Sequence, residues 1–292
     1  MEHKKKRNSL PPTKKGRTIV SMILSFLIAV ALTIAALLGS LRLGFLNEQM
    51  IVRSLNVKDY YGEVCDYFYE TVEDMSIPLG VPASTLDGIA DTNTMYNDIR
   101  ESLEASLTGQ IYLPDTAKLR TKLKENVESY AKSQGRELDE SQQAVLNTYI
   151  EQVSDQYARA IKIPFVEYYG RIHSFAEKVM IAGIAGCLIF ALLAGIILFR
   201  MYVWRHHAMR YLVYSTLASG LMTGLVPTYF LIAQDYKRFV IEPEYLYQFM
   251  VTYVTNGLLI FEGFAVFFFG VSALLLLRIT SMRRQLIKNS RV

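Results

Sequence analysis

The sequence predicts an all-α, polytopic membrane protein: four transmembrane helices, with an extracytoplasmic four-helix-bundle-like domain inserted between the first and second. Three observations predict it. Four long apolar runs hold no basic residue and a single acid, Glu262. Basic residues crowd the two ends and one short link, while the long insert is acidic. Within that insert apolar residues recur at three and four, with no strand-like alternation. Hydrophobic residues make up 51% of the chain, a share that also fits soluble proteins, so clustering decides the class and composition does not.

The first run, residues 18–41, follows a basic tail, residues 1–17. Retention as an anchor is expected over cleavage, because the run exceeds a signal core and Leu38 to Gly44 offers no small-x-small site. The second run, residues 179–199 between Lys178 and Arg200, is uncharged; at about 1.5 Å per residue it crosses a hydrocarbon core about 30 Å thick. The third is 211–234 and the fourth 250–277, joined by the link 235–249. All four should be helices, since hydrocarbon offers no partner to an open backbone N–H or C=O.

Charge sorting sets the orientation. Ahead of the first run stand Lys4, Lys5, Lys6, Arg7, Lys14, Lys15 and Arg17. The link 200–210 carries Arg200, Arg205 and Arg210, and the tail 278–292 carries Arg278, Arg283, Arg284, Lys288 and Arg291. Residues 43–177 hold 22 acidic and 12 basic side chains. Positive charge stays inside, so both termini are expected in the cytoplasm of a plasma membrane and the insert, residues 42–178, outside. Cys65 in the insert and Cys187 in the second run cannot meet, so no disulfide framework is expected. The insert lacks an Asn-x-Ser/Thr acceptor, which points towards a bacterial envelope.

Leu43 to Leu55 is expected to continue the first span as helix, with Asn56 then capping a helix to about Met75. Its apolar face is Tyr60, Tyr61, Val64, Tyr67, Phe68 and Val72; Glu63, Asp66, Glu70 and Glu73 form a solvated stripe, too divergent to converge on a cation. Pro78 to Pro82 stops that helix. Ser84 and Asp87 suit one capped turn. Met95, Ile99, Leu103 and Leu107 mark a second helix ending near Gly109, and Ile111 to Leu113 are expected to tuck under the bundle. Asp115 should cap a third helix, with Leu119, Leu123, Val127 and Tyr130 inward and Gly135 closing it. Asp139 with Gln142 has capping-box spacing ahead of Val145, Tyr149, Val153, Tyr157 and Ile161. An even number of antiparallel helices returns the chain to the bilayer surface.

Pro164 should interrupt the fourth helix. Beyond it Phe165, Tyr168, Tyr169, Ile172 and Phe175 form an amphipathic interfacial collar, and Tyr245, Tyr247 and Tyr253 should mark the outer lipid belt of the last span. Small residues should let membrane helices approach: Ala182 with Gly186 and Ala191 with Gly195 in the second span, and Gly220 with Gly224 in the third, where Ser219 and Thr223 repeat the offset. Pro227 should bend the third span. Glu262 is the intramembrane polar candidate, expected as a protonated acid hydrogen-bonded to hydroxyls on an inward face with Thr252, Thr255, Asn256, Gly263 and Gly270.

Catalytic and cofactor chemistry is not legible. His206 and His207 are adjacent and diverge on a helix; His173 falls in the interfacial collar with no serine-base-acid constellation legible near it; no phosphate loop, HExxH or Cys pair occurs. No catalytic residue, metal or cofactor is therefore expected. The basic tails lack the aromatic interleaving of a nucleic-acid platform. The sequence predicts contact with membrane lipid, a ligand or protein partner for the external domain, association through the membrane helices, and no nucleic acid. The alternative is a transporter or permease-type subunit with Glu262 lining a pathway.

Overall fold

The computed structural model describes residues 14–56, 59–163, 166–202 and 205–289. Among these it contains no strand. Its helices are α1 Lys14–Leu43, α2 Glu48–Leu55, α3 Tyr60–Ser76, α4 Thr92–Leu107, α5 Ala117–Ser133, α6 Glu140–Ala160, α7 Val166–Met201, α8 Arg205–Ala233 and α9 Glu244–Asn289. Four segments, Gly16–Leu43, Phe175–Met201, His206–Ala233 and Glu244–Met282, are long and apolar enough to cross a membrane. The chain falls into two compact units. One comprises Met1–Phe45, Lys178–Tyr236 and Thr255–Val292; the other comprises Leu46–Glu177 and Lys237–Val254.

In the second of these units, α3 packs on α4 and α6, and α5 packs on α6. The apolar stripes meet in one core, where Val64, Phe68, Val72, Met95, Ile99, Leu123 and Val153 have no exposed surface. Each such side chain contributes roughly 1.5–3 kcal/mol through burial. The start of α9 joins this core: Phe249 is buried, and Tyr60 meets the rings of Tyr245 and Phe249 at 5.3 and 5.9 Å. Tyr245 and Tyr253, expected at a lipid belt, pack against the bundle instead. The stripe of Glu63, Asp66, Glu70 and Glu73 is exposed.

Polar contacts fix the connections. Asp139 accepts from the Gln142 N–H at 2.7 Å while the Gln142 side chain accepts from the Asp139 N–H, so the capping box is formed. Asp115 accepts from the Ala117 N–H at 3.0 Å. Gly109 (φ 75) and Gly135 (φ 68) leave α4 and α5 in the left-handed region, where a side chain would be strained. Asp98 on α4 accepts from the hydroxyls of Tyr112 and Tyr157, tying an extended connection and α6 to one carboxylate. Asn126 donates to the carbonyls of Thr85 and Asp87, holding the Ala83–Leu86 turn on α5.

Several sequence expectations are corrected. The first apolar helix does not continue to Leu55. It ends at Leu43, and Asn47 caps α2 by accepting from the Gln49 N–H at 3.0 Å; a good N-cap inside a helical pattern starts a new helix. Asn56 closes α2 rather than opening α3, and Asp59 takes the position before α3 at φ 53, a conformation Asp tolerates better than most residues. The Pro82 carbonyl accepts from Thr85, and neither Ser84 nor Asp87 caps the turn through its side chain. Ile111 and Leu113 are 82% and 80% exposed. Tyr112 between them turns inward instead, since alternate residues of an extended segment face opposite ways. Val145 is exposed, and Leu146 and Ile150 take the inner face of α6.

Tyr149 is buried in this core, and its hydroxyl reaches the Val72 carbonyl only at 3.4 Å. Burial pushes its phenol up from 10.0 to about 12. A raised phenol pKa means the folded state keeps the proton longer than the unfolded chain. The stability this contributes is complete below pH ~10 and is lost as the pH rises to about 12. Alkaline absorbance titration of the folded protein should therefore show phenols resisting ionisation until about pH 12, released at lower pH by denaturant and reduced in Tyr149→Phe. A single phenol class titrating near pH ~10 in the folded protein would contradict the assigned burial.

Candidate functional site

In the unit that bears most of each apolar helix, α1 and α8 are joined by hydroxyl groups. Ser215 Oγ lies 2.8 Å from the Ser25 carbonyl and 3.0 Å from Ser25 Oγ, and Ser25 Oγ lies 2.9 Å from the Tyr211 carbonyl. One turn on, Ser219 Oγ donates to the Ala29 carbonyl at 3.0 Å. Ser21, at the end of this row, accepts from the Tyr202 hydroxyl at 3.0 Å. Ser21, Ser25, Ala29 and Thr33 on α1, and Ser215, Ser219 and Thr223 on α8, recur every fourth residue. On a helix that spacing forms one near-axial row. These side chains are buried. They are small enough for backbones to approach, and the hydroxyls other than that of Thr223 bond across the gap or to the preceding turn. The sequence signal for this row is its four-residue spacing, legible on α8 in Ser219 and Thr223 beside the glycine pair.

The small-residue pairs differ in placement. A Cβ on Gly220 would sit 3.1 Å from the Phe269 ring and 3.3 Å from the Ala265 carbonyl; on Gly224 it would sit 2.9 Å from Ala265 Cβ. This face of α8 lies against α9. On α7, Ala182 and Gly186 are exposed, and among the described residues nothing stands within 4 Å of a Cβ on Gly186. The neighbouring Gly183 makes the approach, with Leu38 Cδ1 of α1 at 2.8 Å from its Cβ position. Within this unit α1 meets α7, α8 and α9, the last through Gly39 against Phe264.

Glu262 on α9 is partly buried, and Thr228 of α8 donates to its Oε1 at 2.5 Å. Its Oε2 lies 3.6 Å from the Cβ position of Gly224, so the glycine leaves room beside the carboxyl. The partner is a hydroxyl, but it comes from α8, one residue after Pro227, and not from the hydroxyls of α9. Helix α8 continues through Pro227 to Ala233. Gly263 and Gly270 are exposed, and the inward face of α9 is made by Gly257, Ala265, Phe268 and Ser272. Thr255 instead shares a hydroxyl contact of 2.9 Å with Tyr236. Thr228 and Glu262 form a polar crossing between two helices, and among the described residues no second acid, base or nucleophile is bonded to it.

Of the collar, Phe175 is 72% exposed on α7; Pro164 and Phe165, and the side chains of Tyr168, Tyr169 and Ile172, lie outside the described residues. In the helical domain two cavities open at the surface. One of about 500 Å³ is walled by Val81, Val127, Tyr130, Arg136, Leu146 and Tyr149. The other, about 580 Å³, is walled by Tyr61 and Tyr96, whose rings lie 4.5 Å apart, together with Arg53, Arg100, Glu48 and Glu104. Both volumes fall in the range of small-molecule sites. Each draws its wall from separate segments, which no local motif announces. Among the described residues no group of three or more His, Cys, Asp or Glu is placed to hold a metal ion.

Compared with known proteins, the chain matches no family model, no curated protein and no solved structure.

The row between α1 and α8 has one member that differs in kind: among the described residues Thr223 Oγ1 is buried without a hydrogen-bond partner. Ser215→Ala should cost about 1 kcal/mol of stability in detergent, the size of an interhelical hydroxyl contact. Thr223→Val, which keeps the shape and removes an unsatisfied hydroxyl, should fall within about 0.5 kcal/mol of the parent or exceed it. Unfolding curves that rank the two variants the other way would refute the assigned roles.

Proposed function

We propose that the chain is a non-enzymatic, multi-pass protein of a bacterial plasma membrane, with its helical domain outside and both ends in the cytoplasm. There the domain binds a ligand or a protein partner, and the membrane helices anchor it and pass its state to a cytoplasmic partner. The observation that carries this reading is a closed core made jointly by the insert and the link Lys237–Val254, opening two ligand-sized cavities. A shared core requires the insert and that link to lie on the same side of the membrane, as the positive-inside pattern also demands. A surface folded to this extent is more than a tether between spans. Association through the membrane helices would use the exposed Ala182 and Gly186 seam of α7.

A second reading, a transporter or permease-type subunit, draws its support from Glu262 and its contact with Thr228 beside Pro227. One set of variants separates the two. Glu262→Gln keeps a hydrogen-bonding side chain and should leave folding and phenotype unchanged, whereas Glu262→Ala should lower stability by about 1 kcal/mol. A photo-crosslinking residue in place of Tyr96 or Val145, in native membranes, should give discrete adducts that the same residue at Arg284 does not. Loss of solute flux in a fully folded Glu262→Gln, with no adducts from either domain position, would replace the first reading with the second.

A further inference from the structure

Two features of the membrane-helix unit converge at one place. The first is a set of cations held in position. The Arg17 guanidinium lies 4.8 Å over the ring of Tyr202. That ring stacks on Tyr211 at 5.8 Å and stands 6.0 Å from His207, while its hydroxyl is fixed by Ser21. Arg17, Arg210 and His206 are all close enough for their charges to act on His207. No acidic residue occurs in residues 14–43 or 200–233, so these two segments carry no counter-charge of their own.

The second feature is a groove of about 490 Å³ that begins beside this cluster and runs along α1 and α8. It is lined by Met22, Phe26, Ala29, Tyr214 and Ala218, with Ser25 and Tyr211 from the hydroxyl row. Met22, Phe26 and Tyr214 are each more than half exposed along it. Tyr211 lines the groove and stacks on Tyr202, over which Arg17 lies, and Ser25 follows Arg17 and Ser21 in the same four-residue row, so the groove and the cluster share residues. In a bilayer such a trough matches the apolarity of an acyl chain. Arg17, held over Tyr202, stands near the Tyr211 end of the groove, and Arg210 acts on the neighbouring His207; a guanidinium's fork suits phosphate oxygens better than a point charge does.

We propose that this surface binds one anionic phospholipid of the surrounding leaflet, with its phosphate on Arg17 and Arg210 and one acyl chain along the groove. A zwitterionic lipid brings its own cation to the same cluster and binds less well. The charge belongs to a site and does more than orient the chain. Lipid binding here is independent of what the helical domain binds, so the two stand or fall separately.

The test uses the full-length protein in nanodiscs of phosphatidylcholine with or without phosphatidylglycerol, followed by mild delipidation and native mass spectrometry of retained lipid. The parent should retain phosphatidylglycerol in preference to phosphatidylcholine. R17Q/R210Q should lose that preference on the order of tenfold, in line with surface-charge energetics, while R17K/R210K keeps most of it. R278Q/R284Q, which removes equal charge elsewhere, should behave as the parent. Ala218→Phe, filling the groove without touching the cations, should lower retention of phosphatidylglycerol at unchanged melting temperature. Equal losses from R278Q/R284Q and R17Q/R210Q would reduce the effect to bulk charge and overturn the site. Full retention in R17Q/R210Q, or no effect of Ala218→Phe, would overturn it as well.

Discussion

Hydrocarbon has no hydrogen-bond partner to offer a peptide group, and most of this structure follows from that constraint. A segment that crosses must be helical to close its own backbone bonds, and a charged side chain left in it is costly. Four segments meet the length and apolarity that crossing demands. Only Glu262 brings a carboxyl group into the apolar runs, and a hydroxyl of another helix meets it. With the hydrophobic effect cancelled between lipid and side chain, these helices associate through backbone proximity and shared hydroxyl bonds. The Ser25, Ser215 and Ser219 contacts and the glycine face of α8 supply both.

The helical domain obeys the opposite rule, because water drives its apolar stripes together. Its core is continuous over α3, α4, α5 and α6, and it also takes in residues just before the last apolar run. Tyr245 and Phe249 thus belong to the domain by packing although the chain carries them on the same helix as Glu262. Polar clamps such as Asp98 between Tyr112 and Tyr157 fix connections that the core alone would leave free.

Features governed by neighbours along the chain are legible in the sequence itself. The capping box at Asp139, the glycines at 109 and 135 that end two helices, and the apolar stripes of α3 to α5, save for Tyr67, which is exposed, all follow from spacing alone. Features governed by which helix meets which are not. Ala182 with Gly186 and Gly220 with Gly224 present the same motif, yet one is open and the other closed against α9, because the motif permits an approach without choosing a partner. Thr228 cannot be named as the companion of Glu262 without the register between α8 and α9. The break at Asn47 is hidden for a different reason, an apolar pattern that outlasts the helix carrying it.

The proposed function rests on the acidic helical domain lying across the membrane from the basic ends. With Cys65 and Cys187 replaced, single cysteines at the exposed positions Ser129 and Arg284 can be exposed in intact cells to a maleimide that does not cross bilayers. Labelling at 129 without permeabilisation, and at 284 only after it, is the predicted result. Labelling at 284 with protection at 129 would contradict it.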